Sequence, residues 1–260
     1  MDFGLKGKRA LVLSSSRGLG LGVAQSLAGE GAEVLMTARS ADRLKAAADA
    51  INARGAGRAH TFVGDLSADV EAIYEGALRT LGQVDILVAN TGGPPARTAL
   101  GAKAEEWLPQ FEALVVPVIK LAGLLLPGMR ERGWGRIITI ASTGVVQPIP
   151  NLVLSNALRS SLVGWSKTLS NEVAKDGVTV NMVLPGRIHT DRVDELDAAN
   201  AKAQGKTVEE VAAASIATIP AGRYGRVEEF ADTVCFLASE RASYITGSLI
   251  RVDGGAVRGI

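Results

Sequence analysis

Short runs of β-branched and apolar residues alternate with longer alanine-rich patterns along the chain, and this alternation constrains the fold most strongly. Strands separated by helices pair in parallel, because each helix returns the chain to the edge where the next strand begins. The predicted strands are residues 10–13, 33–37, 59–63, 85–89, 136–140, 178–183 and 248–252. The predicted helices are residues 18–29, 40–53, 68–81, 104–132, 152–175, 193–214 and 227–239.

Right-handed crossovers between parallel strands place helices on both faces of a sheet. The pattern therefore predicts an α/β fold, a Rossmann-type doubly wound, seven-stranded parallel sheet with helices on both faces. Residues 1–260 contain no linker or repeat, so we expect a single domain. Residues 187–223 form a long segment rich in Ala, Lys and Glu, and we expect a substrate lid there.

Composition excludes several classes of function. Lys and Arg number 28 against 27 Asp and Glu, so a net charge of +1 gives no reason to expect nucleic-acid binding. Cys235 is the single cysteine, which excludes internal disulfides and favours a cytoplasmic protein. Residues 1–9 lack the apolar core of a signal peptide. The apolar stretch 113–126 contains Pro117 and Lys120 and is short for a membrane span, so we expect a buried helix and no membrane association.

The first predicted strand runs into the sequence S-S-S-R-G-L-G at residues 14–20, followed by a helix. Small residues at such a turn let the backbone approach a pyrophosphate, and the helix N-terminus offers free N–H groups to it. A tight turn without any ligand is the alternative. The candidate cofactor-binding residues of this turn are Ser14, Ser16, Arg17, Gly18, Leu19 and Gly20.

Further candidates follow the next strands. Asp65 and Leu66 come after the third strand, where a carboxylate can accept a hydrogen bond from an adenine amino group. Asn90 and Gly92, in N-T-G-G, come after the fourth strand. Arg39 stands after the second strand, where NAD-preferring proteins carry an acid for the ribose 2′-hydroxyl. Arg39 and Arg17 together would suit a 2′-phosphate, which favours NADP(H) over NAD(H); a solvated arginine is the alternative.

These motifs, together with I-I-T-I-A-S, L-P-G-R-I-H-T and the ending at residues 222–255, occur in an order that resembles one family. From about residue 5 to residue 255 the chain resembles the short-chain dehydrogenase/reductase family, and its ending is similar to that of 3-oxoacyl-carrier-protein reductases. The resemblance implies an NAD(P)(H)-dependent oxidoreductase for a small carbonyl or alcohol substrate. It also implies that Pro185, Gly186 and Ile188 run past the nicotinamide.

The family's catalytic Ser, Tyr, Lys and Asn can be carried over by position. Ser142 matches the serine. The tyrosine position, thirteen residues later and nine before a helix glycine, is Ser155. The lysine position is Arg159, and the asparagine position, seven after a helix tryptophan, is Leu114. The turn at residues 14–20, the predicted nucleotide turn, likewise has Ser14 in place of its first glycine.

The resemblance therefore implies an altered proton relay. A serine hydroxyl is a far weaker acid than a phenol. Arg159 keeps a positive charge that can hold the cofactor ribose, but it does not deprotonate as lysine does, and Leu114 cannot hold a water. His189 is a candidate substitute acid, since imidazole exchanges protons near neutral pH; an ordinary solvated histidine is the alternative.

Two functions stay open on the sequence: an oxidoreductase with an atypical active site, and a catalytically silent dinucleotide-binding homologue with a sensing or structural role. No motif for a metal occurs in the chain. The apolar patterns at 104–132 and 152–175 exceed what one sheet face covers, so we expect a homo-oligomer, a tetramer built from dimers.

Overall fold

The apolar runs form seven strands in the computed structural model, which describes residues 2–259. All neighbouring strands are parallel, in the order β3-β2-β1-β4-β5-β6-β7. The strands are β1 (Arg9–Val12), β2 (Glu33–Ala38), β3 (Arg58–Val63), β4 (Ile86–Asn90), β5 (Gly135–Ile140), β6 (Val178–Pro185) and β7 (Leu249–Val252). The predicted fold class is confirmed.

Nine α-helices occur within residues 2–259. They are α1 (Gly18–Gly29), α2 (Ala41–Asn52), α3 (Val70–Leu81), α4 (Ala104–Leu114), α5 (Val116–Glu131), α6 (Val153–Val173), α7 (Asp191–Gln204), α8 (Val208–Ile216) and α9 (Val227–Ala238). Three short 3₁₀ turns lie at Thr143–Val145, Ala174–Asp176 and Glu240–Ala242. Most observed ends lie within two residues of the predicted ones, which is the ordinary uncertainty of helix boundaries.

Side chains alternate between two cores because successive residues of a strand point to opposite faces. On β1, Ala10 and Val12 enter a core that contains residues of α1, α2 and α9. Leu11, between them, enters a second core built with α3, α5 and α6. The helices therefore cover both faces of the sheet. Strand order reverses between β1 and β4, so their carboxyl ends frame the crevice where ligands of such sheets bind.

Two of the predicted helices are in fact pairs of helices. The pattern at 104–132 breaks at Val115, because Pro117 has no N–H group to bond back to the preceding turn. The pattern at 193–214 ends at Gly205, which has a φ of 64°, and restarts after Thr207. Thr207 accepts a hydrogen bond from the Glu210 amide and so caps α8. Both breaks carry a local sequence signal that the longer periodicity masked.

Residues Ala104–Glu131 are long and apolar enough to cross a membrane by length and composition, with a mean hydropathy of 1.7 over 18 residues. One face of this stretch packs on the sheet: Leu121, Leu125 and Met129 are buried in the second core. The other face leaves Leu108 and Leu124 exposed by 64% and 37%. The expected buried helix is therefore buried on one side only.

The segment between β6 and α9 leaves the sheet and returns to the same place. The amide of His189 donates to the Gly225 carbonyl at 2.8 Å, and the Gly225 amide donates to the Arg187 carbonyl at 2.9 Å. Between these paired ends lie α7 and α8. This segment, residues 187–223, is the predicted lid, and it starts at the carboxyl end of β6, on the same edge of the sheet as the crevice.

Candidate active site

The nucleotide turn lies at the carboxyl end of β1 and leads into α1. No side chain caps α1, and no acidic residue lies in its first turn. Its N–H groups and the positive end of its dipole are therefore available to an anion. The residues of this turn fit the phosphates of a dinucleotide.

Ser14 holds a backbone conformation that favours glycine. Its φ is 47°, in the left-handed region. The Asn90 side-chain amide donates to the Ser14 carbonyl at 3.2 Å, and a Cβ on Gly20 would lie 2.8 Å from that same amide nitrogen. Asn90, predicted as a cofactor residue, thus ties the end of β4 to the turn after β1, and Gly20 leaves the space for this contact.

Both arginines expected at the 2′-phosphate have carboxylate partners. The Arg39 guanidinium is 81% exposed and lies 3.8 Å from Asp65. Hydrogen bonds from Ser67, and to a smaller extent the charge of Arg39, lower the pKa of Asp65. Arg17 is 52% exposed and lies 3.3 Å from Asp191 and 3.5 Å from Glu195 on α7. Ser16 is half-buried beside Arg17.

Arg159 is buried on α6 and spans the ends of two strands. Its Nη1 donates to the Thr91 hydroxyl and to the Ile140 carbonyl, each at 3.2 Å. Its Nη2 donates to the carbonyls of Thr91 at 3.4 Å and Gly92 at 2.7 Å. Burial lowers the pKa of Arg159 to about 10, so the group stays charged at neutral pH. No carboxylate within residues 2–259 lies within salt-bridge distance of it, so a positive charge stands uncompensated between β4 and β5.

Ser142 follows β5 and begins a short 3₁₀ turn. Its Oγ accepts a hydrogen bond from the Gly144 amide at 3.0 Å, which leaves its own hydrogen available as a donor. Asn156, on α6, donates to the Ile149 carbonyl at 2.9 Å and packs directly against Gly144. The loop that carries Ser142 is therefore held to α6 beside Ser155.

Ser155 and Arg159 lie one turn apart on α6 and share a face. Ser155 is half-buried, and its hydroxyl makes no hydrogen bond to any residue of the described chain. Ser142, Ser155 and Arg159 thus lie at one edge of the sheet. Leu114 is 3% exposed in the second core at the end of α4.

His189 lies on the lid side of the site. Its Nε2 is 3.3 Å from Asp194 and its side chain is 67% exposed. The ring also faces Tyr224, with centroids 6.4 Å apart. Within residues 2–259 it makes no hydrogen bond to Ser142, Ser155 or Arg159.

The remaining predicted cofactor residues differ in what they offer. Gly92 has open space around its Cβ position, and Pro185 is half-buried at the end of β6. A Cβ on Gly186 would lie 2.7 Å from the Asp253 backbone, so glycine is needed there. Leu19 and Leu66 pack against the two cores, and the Ile188 side chain is 4% exposed. Leu19 and Leu66 are partly buried, whereas the buried Ile188 leaves only backbone atoms for a cofactor.

Known proteins similar to this chain identify its family. Residues 13–257 match a family described as enoyl-(acyl carrier protein) reductase. The 3-oxoacyl-[acyl-carrier-protein] reductase FabG of Escherichia coli (strain K12) is 38% identical over 252 residues, covering 96% of this chain and 97% of that protein.

Two solved reductase structures are also similar to this chain. L-sorbose reductase from Gluconobacter frateurii, complexed with NADPH and L-sorbose, superposes with a TM-score of 0.94 at 36% identity over the full length of both chains. An actinorhodin polyketide ketoreductase with NADPH gives a TM-score of 0.91 at 31% identity, over 96% of this chain and 97% of its own.

The chain belongs to the short-chain dehydrogenase/reductase family. It is an oxidoreductase homologue related to 3-oxoacyl-[acyl-carrier-protein] reductases and ketoreductases. The resemblance read from the sequence motifs is confirmed at the level of the family. The uncapped N-terminus of α1 follows β1 and Ser142 follows β5, so both lie at the carboxyl edge of the sheet.

Three residues that support the site were missed by sequence reasoning. Thr91 accepts from Arg159 and Asn156 holds the Ser142 loop. Asp197, 2% exposed on α7, accepts from Arg187 at 2.6 Å and from the Tyr224 hydroxyl at 2.7 Å. Thr91 and Asn156 adjoin predicted residues, which was a usable signal. Nothing in the sequence around Asp197 distinguishes it from the other acids of the lid.

Replacement of Ser14 tests the conformation of the nucleotide turn. Ser14→Gly removes about 1–2 kcal/mol of left-handed backbone strain from the folded state. It also costs about 0.5–1 kcal/mol of stability, because glycine gives the unfolded chain more conformational freedom. We therefore expect an equal or slightly greater free energy of unfolding. Ser16→Gly is the control: Ser16 has no positive φ, and its replacement should lower the urea midpoint. A larger loss for Ser14→Gly than for Ser16→Gly would contradict this conformation.

Proposed function

We propose that the protein is an NADP(H)-dependent oxidoreductase that interconverts a small carbonyl compound and its alcohol through an atypical active site. One observation carries the proposal: Ser142, Ser155 and the buried charge of Arg159 lie on the same edge of the sheet as the uncapped N-terminus of α1. We place the protein in the cytoplasm, with no nucleic-acid or membrane partner.

The nucleotide would be held by the chain's own polar groups. The first turn of α1, with Ser16, Gly18 and Gly20, would take the pyrophosphate. Arg17, in the turn after β1, and Arg39, directly after β2, are exposed cations and suit a 2′-phosphate. Reductases similar to this chain are known as NADPH complexes, which supports this choice.

Hydride chemistry belongs to the nicotinamide. Ser142 would polarise the substrate carbonyl, because its hydroxyl accepts from Gly144 and keeps its hydrogen for a donor bond. Arg159 would act by charge and position: both terminal nitrogens are occupied by Thr91, Gly92 and Ile140, so only Nε–H remains for a ribose hydroxyl. Pro185, Gly186 and Ile188 would line the nicotinamide end with backbone groups.

Proton donation is the altered step. Ser155, Arg159 and Leu114 take the places of the family's Tyr, Lys and Asn. The free hydroxyl of Ser155 is a poor acid even beside the Arg159 charge. Leu114 is buried among apolar side chains, and its own side chain offers no polar atom to a relay water. Positioning and polarisation survive, so we expect slow turnover of ordinary carbonyl substrates.

The second candidate is a catalytically silent dinucleotide-binding protein with a sensing or structural role. The bonding of Arg159 favours it, because four hydrogen bonds to the chain itself make this residue a tie between β4 and β5 without any ligand. The same turn and arginines would bind the nucleotide in both cases. Activity measurements therefore separate the two candidates, and nucleotide binding tests what they share.

Nucleotide preference tests the assignment of the two arginines. We expect calorimetry to show tighter binding of NADPH than of NADH, because only NADPH carries the 2′-phosphate. Arg39→Asp should reverse or abolish this preference, whereas Arg43→Asp, one turn along α2, should retain it. Equal affinities in the wild type would refute the assignment. If neither nucleotide bound, the oxidoreductase proposal itself would fail.

Restoring the family residues tests the altered proton relay. Ser155→Tyr with Arg159→Lys and Leu114→Asn should raise NADPH-dependent carbonyl reduction by about 10²–10⁴-fold, the usual contribution of a placed proton donor. The double variant Ser155→Tyr/Arg159→Lys keeps the buried Leu114 and replaces the triple variant if that one does not fold. Adding Ser142→Ala should remove the gain. No gain in any folded variant would contradict our account of the relay.

His189→Ala belongs to the same experiment. We expect wild-type turnover to be unchanged, since the exposed imidazole faces Asp194 rather than Ser142. Loss of turnover with unchanged NADPH affinity would instead make His189 the substitute acid.

The exposed apolar face of α4 and α5 leads us to propose a homotetramer built from dimers. Light scattering should give about four times the 27.0 kDa of one chain. Leu108→Glu with Leu124→Glu should reduce the assembled mass, because charges are costly in a buried interface. Val208→Glu, at an exposed apolar residue of the lid, should leave it unchanged. A 27.0 kDa wild-type particle would contradict the proposal.

A further inference from the structure

The first turns of α7 carry two carboxylates that face the nucleotide turn. Nη1 of Arg17 donates to Asp191 at 3.3 Å and lies 3.5 Å from Glu195. Asp191 and Glu195 are four residues apart and therefore share one face of α7. A Cβ on Gly18 would lie 3.8 Å from the methyl group of Thr190, which immediately precedes this helix. The start of α7 thus lies directly against the nucleotide turn.

The same end of α7 also approaches the other side of the crevice. Nη2 of Arg192 lies 3.5 Å from both the Pro94 carbonyl and the Cβ position of Gly93, after β4. The start of α7 therefore spans from the turn after β1 to the loop after β4. These are the two sides of the crevice at the reversal of strand order.

α7 is anchored differently farther along. The carboxylate of Asp197 is buried and accepts from Arg187 and Tyr224. In contrast, Arg17, Asp191 and Glu195 are 52%, 71% and 50% exposed. The ion pairs of Arg17 with Asp191 and Glu195 are therefore weaker than the buried contacts of Asp197. They can be replaced by contacts to a ligand while Asp197 still anchors α7.

We propose that Asp191 and Glu195 are nucleotide-specificity residues, which hold Arg17 in the free protein and compete with the 2′-phosphate for it. This inference rests on the proposed function, in which Arg17 is a phosphate partner. A phosphate dianion beside the two carboxylates is repelled by them, so Arg17 exchanges one set of anions for the other. The exchange opposes NADP(H) binding and leaves NAD(H), which lacks the 2′-phosphate, largely unaffected.

The expected effect follows from the exposure of these pairs. An exposed ion pair changes an equilibrium constant by a factor of about 1.5–5. Asp191→Asn with Glu195→Gln should therefore tighten NADPH binding by about two- to ten-fold and NADH binding by less than about two-fold. Both replacements preserve the shape and polarity of the side chains, so α7 should keep its place.

Calorimetry with NADPH and NADH tests the competition in four proteins: the wild type, the Asp191→Asn/Glu195→Gln variant, Arg17→Ala, and all three changes together. In the Arg17→Ala background the two replacements should no longer change the ratio of the NADPH and NADH affinities. Asp194→Asn is the matched control, because its carboxylate lies on the same helix but contacts His189. It should leave the ratio at the wild-type value.

The outcomes separate the inference from the function on which it rests. An unchanged ratio, or weaker NADPH binding, in the Asp191→Asn/Glu195→Gln variant of a protein that binds NADPH overturns the competition alone. A gain that persists without Arg17, or that Asp194→Asn reproduces, shows general charge repulsion and also overturns it. Failure of the wild type to bind either nucleotide overturns the proposed function as well.

Discussion

The parallel pairing of β1 with β4 is the contact on which the rest of the structure depends. It joins strands that are distant in sequence and makes the strand order reverse, so the connections on either side leave a crevice at their carboxyl ends. The hydrogen bond from Asn90 to the Ser14 carbonyl fixes the two strand ends to each other. The nucleotide turn, the Thr91–Gly92 loop and the lid are all arranged around this pair.

Positive charge is distributed around that crevice in two distinct ways. Arg17 and Arg39 are exposed and lie beside carboxylates, so a ligand that takes them must displace an existing partner. Arg159 is buried with no carboxylate partner among residues 2–259, and its terminal nitrogens donate to neutral acceptors at the ends of β4 and β5. Because its bonds are all to the chain, Arg159 stabilises the strand ends whether or not a ligand is bound. In the proposed function, Arg159 would supply a fixed charge at this edge and Ser142 would polarise the carbonyl, with no strong acid beside them among residues 2–259.

Local signals account for what could be predicted of the helices and what was missed. Long periodicity correctly indicated α1, α6 and α9, since an apolar stripe repeats along each of them. It failed at residues 104–132 and 193–214, where apolar spacing continues across a break. Pro117 and Gly205 mark those breaks through a missing N–H group and a left-handed backbone, and such local constraints override periodicity.

The sequence by itself determined the parallel sheet, the turn after β1 and the identities at residues 142, 155 and 159, because each depends on residue type and spacing along the chain. Only the tertiary structure decided which partners those groups have. Arg17 contacts Asp191 at a sequence separation of 174, and Arg159 contacts Thr91 at a separation of 68. Such contacts depend on how the lid and α6 dock on the sheet, and docking is set by the packing of whole faces rather than by any local pattern.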